Sequence, residues 1–525
     1  MNSEQTDGAG GSGRPPLRDS VAEVVELMEV ANATVRDPSG SPVVPDWFQR
    51  ALEPTGVPRR TWRHGLAPAY IGLFLWIVYF DQIPREVLGR GGLLTAVIGC
   101  GIGAGLCHLL LYLAPAMLGV STGRSLMVVS TSTFGLEGAA WVPGLVLSLA
   151  QVLTIAVSVG YGTSLCFWGL DLLGLLDLSW VGPAPPARGF WTNPVFLVTA
   201  AAWGLATTMV GGHLVRVIVA LMLVYPFVPA AILAASSIAA FRGLPRFDPA
   251  MITPSTDLGS GPPEAVAVAT AVQLLFGFFA PTALASVDWG AATTEPAEVR
   301  KGGVVSVSLA AWIVATLAIL TVAGSVGAGL VSRPRFEPGG VFDSTYQQSL
   351  IVLLGAKVAG ALFQLLALTA LAPACYAGHF LFQWLHDWRP WLSRNGWTLL
   401  GLAVALILIA SGWAFRLAEV FGVLGALCAP AVGGMTAEYL RARGRWRGVR
   451  EGYHWPGMIA WSSGFVVGMV PTVARALGMT GPILWHPWAL HGYLVAFFVY
   501  LLLTPLGLGS RFVELRDDGA ADSST

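Results

Sequence analysis

The sequence predicts an all-α polytopic membrane protein with about twelve membrane-spanning helices. Of its 525 residues, 54% are hydrophobic and only 11% are charged, whereas soluble domains carry about 25% charged residues. The mean hydropathy is +0.66, and the apolar residues gather in long segments. Because a spanning helix needs about 20 mostly apolar residues, these segments are long enough to cross a lipid bilayer.

Twelve segments meet this length requirement and define one predicted membrane domain over residues 61–510. A polar, partly disordered tail is predicted for residues 1–60, and a second tail for residues 511–525. The predicted spans are 66–88, 92–118, 140–170, 194–211, 213–241, 264–288, 303–331, 354–382, 397–414, 416–434, 456–477 and 487–509.

The distribution of basic residues predicts the orientation, because arginine and lysine favour cytoplasmic loops. Arginines concentrate in the N-terminal tail and in the segment RARGRWRGVR, residues 441–450. An even number of spans places both segments on the same side. We therefore expect both termini in the cytoplasm and the chain in the cell (inner or plasma) membrane. The formal net charge of zero gives no indication of a nucleic-acid partner.

Two predicted helices contain residues that interrupt a helix. Helix six contains Gly277 and Pro281, and helix one contains Asp81 and Gln82 beyond Trp76. Backbone groups freed by a break find no water in hydrocarbon, but they can bind a ligand where they line a cavity. Transporters with inverted repeats place broken helices at corresponding positions in both halves. Helices one and six begin two successive five-helix units, so the sequence predicts a 5+5 inverted repeat with both helices broken. A simple proline kink is the alternative.

Several motifs resemble nucleobase–cation symporter family one, which includes purine–cytosine permeases and hydantoin carriers. The segment GRSLMVVSTSTFGLEGAAWVPGLV, residues 123–146, resembles a family signature that precedes helix three. The segment GFFAPTALASVDWG, residues 277–290, is similar to the family's helix six, and LAPACY, residues 371–376, to the end of its helix eight. The matched signature positions before helix three are Phe134, Gly135 and Gly138.

The resemblance implies a LeuT-like fold, with ten helices in two inverted repeats and two more appended. It also implies symport of a flat nitrogenous heterocycle with Na⁺ or H⁺, without a cofactor. Such a cargo needs an aromatic face for stacking and amide side chains for its ring edges. Phe279 takes the position of a family stacking aromatic, and Gln151 is the amide nearest to the helix-three site. With the residues at the breaks and in helix eight, the predicted substrate-binding residues are Trp76, Asp81, Gln82, Gln151, Gly277, Phe278, Phe279, Gln364 and Thr369.

Two positions depart from the family pattern. The tryptophan expected in the middle of helix three is absent, and Leu153 and Thr154 stand near its place. The Ser/Thr pair that supplies sodium oxygens in helix eight falls at Phe363 and Gln364, and a Phe side chain supplies no oxygen. A carboxylate such as Asp81 could carry a proton instead. H⁺ and Na⁺ therefore both stay open as the coupling ion, and a metal site is not assigned.

An enzyme is not expected, because no Ser-His-Asp set, Walker loop or HExxH motif stands at a plausible position. The five cysteines lie in apolar runs without Cys-x-x-Cys spacing, which indicates buried small residues rather than a metal or redox centre. No obligate protein partner is evident beyond a small-molecule substrate. The alternatives are a transporter of the same fold for an amino acid, amine or vitamin precursor, and a non-transporting membrane sensor.

Overall fold

The computed structural model describes residues 46–52, 59–178, 190–213, 224–252, 262–331, 345–479 and 487–513. Of the two predicted tails, most of residues 1–60 and 511–525 therefore lies outside the described residues, as does the first part of the predicted span 213–241. The described chain is helical. Its extended pairing is limited to two isolated bridges, Arg60 with Thr293 and Arg450 with Phe512.

The long helices follow the order of the predicted spans, and we number them α1 to α12. They are α1a (Leu66–Phe74) and α1b (Ile77–Phe80), α2 (Ile83–Leu106, continued by Leu113–Thr122), α3 (Val146–Leu172), α4 (Pro194–His213), α5 (Phe227–Ala240), α6 (Pro263–Ala291), α7 (Ala310–Gly327), α8a (Ala356–Leu368) and α8b (Leu371–Trp388), α9 (Arg394–Ala410), α10 (Leu417–Arg441), α11 (Trp455–Gly468) and α12 (Trp488–Leu503).

Shorter helices lie between them. They include the N-terminal helix (Asp46–Leu52), three short turns before α3 (Leu126–Val129, Thr131–Phe134 and Leu136–Ala139), the helix Pro296–Gly303 before α7, the loop helix (Tyr346–Leu354) before α8a, and Val470–Ala476 after α11. By length and composition, eight helices of the described chain could cross a membrane, or nine if α11 and Val470–Ala476 form one bent span. Two shorter apolar helices coincide with α4 and α9. This is a multi-pass membrane fold.

The predicted break in helix one is confirmed, and it has two parts. Trp76 adopts an extended conformation, with φ −71° and ψ 126°, between α1a and α1b. Asp81 and Gln82 then separate α1b from α2. A further change of direction occurs at Gly92, where φ 75° and ψ −177° are accessible to glycine at little cost. This bend lies between the first and second predicted spans.

The predicted break in helix six is wrong. α6 runs without interruption from Pro263 to Ala291, with Pro281 inside it. Proline removes only the hydrogen bond to the carbonyl four residues earlier, that of Gly277, and the flanking turns keep the helix intact. Gly277 serves packing, since a Cβ there would lie 2.2 Å from the carbonyl oxygen of Phe421 on α10. Gly277 is thus explained by the close crossing of α6 and α10, and Pro281 lies within a continuous helix and not in an unwound segment.

The helix contacts repeat between the two halves of the chain. α3 packs against α9, and α8 packs against α4. In a 5+5 repeat, α3 corresponds to α8 and α4 corresponds to α9, so these two contacts are equivalent. α6 lies at the centre, in contact with α2 and α10. α11 and α12 pack against each other and against α10. The bundle therefore consists of two related five-helix units with two appended helices.

One end of the bundle, which we call the inner end, carries the segments that the charge distribution predicts to be cytoplasmic. The chain after α10 pairs there with the turns before α3: Leu136 N–H donates to the Arg450 carbonyl at 2.9 Å, and His454 N–H donates to the Phe134 carbonyl at 2.8 Å. The N-terminal helix also packs here. Its Phe48 is fully buried, in an apolar cluster that comprises Trp47, Phe48, Val128, Leu136, Ala140, Trp384, Val449 and Val513.

A buried glutamate connects several elements at the inner end. Glu438 is only 3% exposed, and its carboxylate lies 3.3 Å from Arg450, 3.8 Å from Arg441 and 4.0 Å from Arg447. The Tyr500 hydroxyl donates to its Oε2 at 2.8 Å. These contacts tie α10 and α12 to the segment that follows α10.

Candidate functional site

A small cavity lies beside the break of α1, between α3, α6, α8b and α10. We call it the central cavity. Its volume is about 50 Å³. The extended backbone at Trp76 turns α1 at this point, so that side chains from both sides of the break face the other helices. Its walls include Trp76, Gln151, Phe278, Tyr376 and Phe421.

The central cavity has aromatic walls. The Trp76 and Phe278 ring centroids are 6.0 Å apart, and those of Phe278 and Phe421 are 5.2 Å apart. Rings at these separations attract each other through dispersion and quadrupole interactions. They also offer flat apolar surface to a ligand.

Polar groups from three helices lie among the aromatic residues of these walls. The Trp76 indole N–H is buried and has no hydrogen-bond partner among the described residues, and such an orphaned donor costs about 1–3 kcal/mol. Gln151 is 4% exposed and brings an amide, which both donates and accepts. Thr154 and Thr282 add hydroxyls to the lining. The cavity walls therefore combine an amide, hydroxyl groups and aromatic faces.

A second cavity, which we call the inner cavity, lies between α1a, α5, α6 and the α8a–α8b junction. Its volume is about 60 Å³. At its aromatic side, the Trp289 Nε1–H donates to the Tyr376 hydroxyl at 2.9 Å, and the Tyr70 hydroxyl shares a hydrogen bond of 2.6 Å with Ser286. The residues common to both cavities are Leu73, Thr282, Pro373 and Tyr376. These side chains form the wall between the cavities.

Neither cavity accommodates a drug-sized molecule in this conformation. A water molecule occupies about 30 Å³ of liquid, and binding pockets for small molecules measure about 300–1,000 Å³. The two cavities, at about 50 and 60 Å³, are each large enough for only a few waters. Binding of a ring-sized ligand here requires the helices to move apart.

Four predicted substrate-binding residues lie in cavity walls. Trp76, Gln151 and Phe278 line the central cavity, and Thr369 lines the inner cavity. Thr369 stands where α8a meets α8b, and its hydroxyl donates to the Leu366 carbonyl at 2.6 Å. The roles of these residues in binding stay predictions.

Phe279 and Gly277 do not belong to either wall. Phe279 is fully buried, and its ring stacks on Phe74 at 5.8 Å with an interplanar angle of 19°. Its neighbour Phe278 faces the central cavity instead. Gly277 lies against Phe421 at the crossing of α6 and α10. Of the two rings, Phe278 and not Phe279 therefore lies in the wall of the central cavity.

The remaining predicted residues hold helices together. Gln82 Nε2 donates to the Tyr161 hydroxyl at 3.0 Å, and Gln364 Nε2 donates to the Cys166 carbonyl at 2.8 Å. The Asp81 carboxylate accepts hydrogen bonds from the loop helix. None of the three lines the central or the inner cavity.

Tyr376 and Phe421 line the central cavity but were not among the predicted binding residues. Tyr376 closes the run LAPACY, which was singled out only for its family resemblance. Phe421 has no sequence signal, because its position depends on how α10 crosses α6. Within the described chain, no group of three or more His, Cys, Asp or Glu residues could hold a metal ion.

No protein-family model and no curated protein matches this sequence. Solved structures match its fold. Mhp1, a nucleobase-cation-symport-1 family transporter, in a closed conformation with bromovinylhydantoin bound, is similar with a TM-score of 0.58 and 15% identity over 88% of this chain and 98% of that chain. Inward-facing Mhp1 gives a TM-score of 0.54 at 15% identity, over 88% and 96% of the two chains.

A Na⁺-coupled sialic acid symporter in a substrate-bound, outward-open state is also similar. Its TM-score is 0.52 at 13% identity, over 95% of this chain and 99% of that chain. Similarity at such low identity shows the fold, which is LeuT-like. The predicted fold class is confirmed, apart from the break in helix six. The solved structures that share the fold are transporters and not enzymes.

Proposed function

We propose that this protein is a secondary active transporter that carries a nucleobase-like or related nitrogenous heterocycle by symport with H⁺ or Na⁺. The central cavity at the break of α1 is the observation on which the proposal rests. We place the protein in the cell membrane with both termini in the cytoplasm, as the arginine distribution predicts.

The chemistry of the cavity walls suits a flat heterocycle. Trp76 offers an unpartnered N–H to a ring carbonyl or ring nitrogen. Gln151 can donate and accept at a neighbouring ring edge. Phe278 and Phe421 supply the apolar faces on which a planar ring stacks.

The mechanism that we propose is alternating access. The extended residue Trp76 allows α1a to move relative to the rest of α1, because no helical hydrogen-bond ladder crosses the break. α6 is continuous through Pro281, and α1a moves relative to it. Movement of α1a and α8b would enlarge the central cavity and then join it to the inner cavity through the wall that contains Tyr376.

Two of the structural relatives support the proposal in different ways. The Mhp1 structure holds bromovinylhydantoin, a nitrogenous heterocycle of the class we propose. The sialic acid symporter shows that the same fold serves another cargo. The heterocycle assignment therefore depends on the cavity residues and not on the fold alone.

The proposal is tested by uptake into proteoliposomes that contain the purified protein. We expect labelled cytosine, adenine, hypoxanthine, uracil or a hydantoin to accumulate when a Na⁺ or H⁺ gradient is imposed. Gln151→Leu should lower the affinity at least tenfold, since a lost bidentate amide leaves ring groups unpaired. Gln364→Leu is the matched control, because this amide bonds to the Cys166 carbonyl outside both cavities.

Two outcomes would contradict the proposal. If no heterocycle accumulates under either gradient while an amino acid, amine or vitamin precursor does, the cargo assignment is wrong. If heterocycles raise the melting temperature with concentration but no flux occurs, the protein is a sensor and not a transporter.

A further inference from the structure

The loop helix is attached to the break of α1 at the outer end of the bundle, which is the end opposite the inner end. The Asp81 Oδ1 accepts the backbone N–H of Gln347 at 3.0 Å, and Oδ2 accepts the Gln347 side-chain Nε2–H at 3.2 Å. The Asp81 carbonyl accepts the Tyr346 N–H at 3.1 Å. Both carboxylate oxygens therefore face donors from the first turn of the loop helix.

These groups are enclosed by protein. Asp81 is 1% exposed and Gln347 is 2% exposed. Thr345 caps the loop helix, since its hydroxyl accepts the Gln348 N–H at 3.3 Å. A carboxylate at a helix N-terminus is stabilised by the helix dipole, so the ionised form of Asp81 holds the loop helix through charge-assisted bonds.

One polar atom of this pair has no partner. The Gln347 Oε1 is buried and unbonded among the described residues. An amide that rotates by 180° exchanges its N–H group for its oxygen. Gln347 can thus donate to ionised Asp81 and, after rotation, accept a hydrogen bond from protonated Asp81. The unpaired Gln347 Oε1 would thus gain a hydrogen bond when Asp81 is protonated.

We propose that Asp81 and Gln347 form a proton-binding site, and that proton binding loosens the attachment of the loop helix to α1. This inference rests on the proposed symport function, for which it names the coupling ion. In the step, a proton from water adds to Oδ2 of Asp81, and the new O–H donates to Gln347 Oε1. The N–H···Oδ1 bond loses its ionic partner, and neutral bonds are about half as strong as charge-assisted ones.

The other groups around Asp81 are compatible with this step. Arg85 on α2 lies close enough to act electrostatically on Asp81 and favours the ionised carboxylate. The other titratable neighbours are Tyr161 on α3 and Tyr346 on the loop helix, and both stay neutral at physiological pH. Burial opposes the charge, whereas the hydrogen bonds from Gln347 and the charge of Arg85 support it.

Other contacts of the loop helix do not depend on pH. The Tyr346 hydroxyl bonds to Ser236 on α5 at 2.8 Å, and Ser349 bonds to Ser325 on α7 at 2.8 Å. Both residues belong to the N-terminal half of the loop helix, and these neutral contacts hold that half against α5 and α7. Protonation therefore weakens the bonds from Gln347 to the Asp81 carboxylate, while Tyr346 and Ser349 stay attached to α5 and α7.

Hydrogen–deuterium exchange of residues 345–354 tests the inference without any cargo. After correction for the intrinsic exchange rate, we expect the wild-type amides to lose protection as the pH falls from 8 to 5. Asp81→Asn should exchange at one elevated rate throughout this range. Asp171→Asn is the matched control, because Asp171 accepts the Leu178 N–H at 3.3 Å at the same end of the bundle, and it should retain the wild-type pH profile. Wild-type protection that does not change with pH would overturn the inference.

A second variant covers the case in which Asp81→Asn fails to fold. Gln347→Glu places two carboxylates within hydrogen-bond distance, and such a pair shares a proton up to higher pH. The transition in exchange should therefore move upward by at least one pH unit. A midpoint that does not move would contradict the proposed site.

Transport assays separate this inference from the proposed function. An H⁺ gradient should drive accumulation in the wild type, whereas Asp81→Asn should keep exchange of internal for external cargo and lose gradient-driven accumulation. If H⁺-driven accumulation survives in Asp81→Asn, the proton site is wrong and the transporter proposal stands. If exchange protection responds to pH but no heterocycle is carried, the transporter proposal fails and the proton site stands.

Discussion

Phe278 and Phe279 are adjacent aromatic residues with different surroundings. Phe278 faces the central cavity, and Phe279 packs against Phe74 and Tyr70 with ring centroids 5.8 and 5.7 Å away. Consecutive helical residues point about 100° apart. In this structure, Phe278 and not Phe279 is therefore placed to contact a ligand in the central cavity.

Substitution by leucine distinguishes the two rings. Phe278→Leu should weaken cargo affinity about five- to tenfold, because a stacking face worth about 1 kcal/mol is lost. Phe279→Leu should leave the affinity unchanged and lower the melting temperature by several degrees, because a tightly packed ring is replaced. Equilibrium binding and thermal unfolding in detergent measure both effects. A weaker affinity in Phe279→Leu alone would restore the original sequence-based assignment.

Residue types predicted part of the site. Gln151 was predicted because a heterocycle needs an amide, whereas Trp76 and Phe278 were predicted from their places at the interruptions of helices one and six. These three do line the central cavity. Asp81, Gln82 and Gln364 satisfy the same chemical criteria, yet each binds another part of the protein. The residue type does not distinguish a polar side chain that lines a binding cavity from one that joins two helices. In the second case, the hydrogen-bond partner lies far away in the sequence and cannot be identified from it.

At the scale of the helix, α1 and α6 show why a proline is not by itself a break. α1 breaks at Trp76, which precedes the predicted interruption, and again at Asp81 and Gln82. The loop helix donates hydrogen bonds to Asp81 there, so tertiary partners stabilise the open backbone. α6 stays helical through Pro281. Whether a helix breaks at such residues depends on contacts with neighbouring helices. The sequence of one helix does not show these contacts.

Pro281→Ala tests whether α6 must flex during transport. The substitution restores an N–H opposite the Gly277 carbonyl and removes a helix-interior proline that costs up to about 3 kcal/mol. We expect a melting temperature higher by several degrees and a transport rate lowered severalfold, as in other trade-offs between stability and activity. Thermal unfolding and uptake measure the two effects. If the rate is unchanged, α6 acts as a rigid support throughout the cycle.

For the whole molecule, the Glu438 cluster joins elements that are far apart in sequence. Breaking a buried ion pair by removing one partner costs about 3–5 kcal/mol. Glu438→Gln keeps an acceptor for Tyr500 but leaves Arg450, which is 4% exposed, without its countercharge. We expect the melting temperature to fall by about 3–5 °C, since the shift per kcal/mol decreases with chain length.

An exposed ion pair provides the control for that prediction. Arg416 and Glu419 are 3.7 Å apart with side chains 64% and 29% exposed, and such pairs contribute about 0–1 kcal/mol. Glu419→Gln should leave the melting temperature nearly unchanged. Equal effects of the two substitutions would show that the Glu438 cluster does not stabilise the inner end.

His454 makes the stability of the same end depend on pH. Its Nδ1 accepts the Ser510 N–H at 3.3 Å, which places the proton on Nε2, beside the Tyr500 hydroxyl. Burial lowers the pKa of the imidazole far below its ordinary value, and the charges of Arg450, Arg441 and Arg447 lower it further. Below about pH 6.5 the unfolded state binds a proton that the folded state does not bind, so stability falls as the pH falls.

His454→Gln should remove this dependence. The melting temperature of the wild type is expected to drop between pH 7 and pH 5, and the drop should be smaller in the variant because glutamine does not titrate. Thermal unfolding at several pH values measures the difference. Parallel curves for both proteins would assign the pH dependence to other groups.

The apolar cluster at the inner end has a consequence for biosynthesis. It includes Trp47 and Phe48 from near the start of the chain, and Val513 from near its end. A ribosome must therefore synthesise the chain from Trp47 through Val513 before this cluster can close. Until then, the cluster that covers Trp47 and Phe48 lacks Val513, so a nascent chain, or one truncated before this residue, leaves the cluster incomplete.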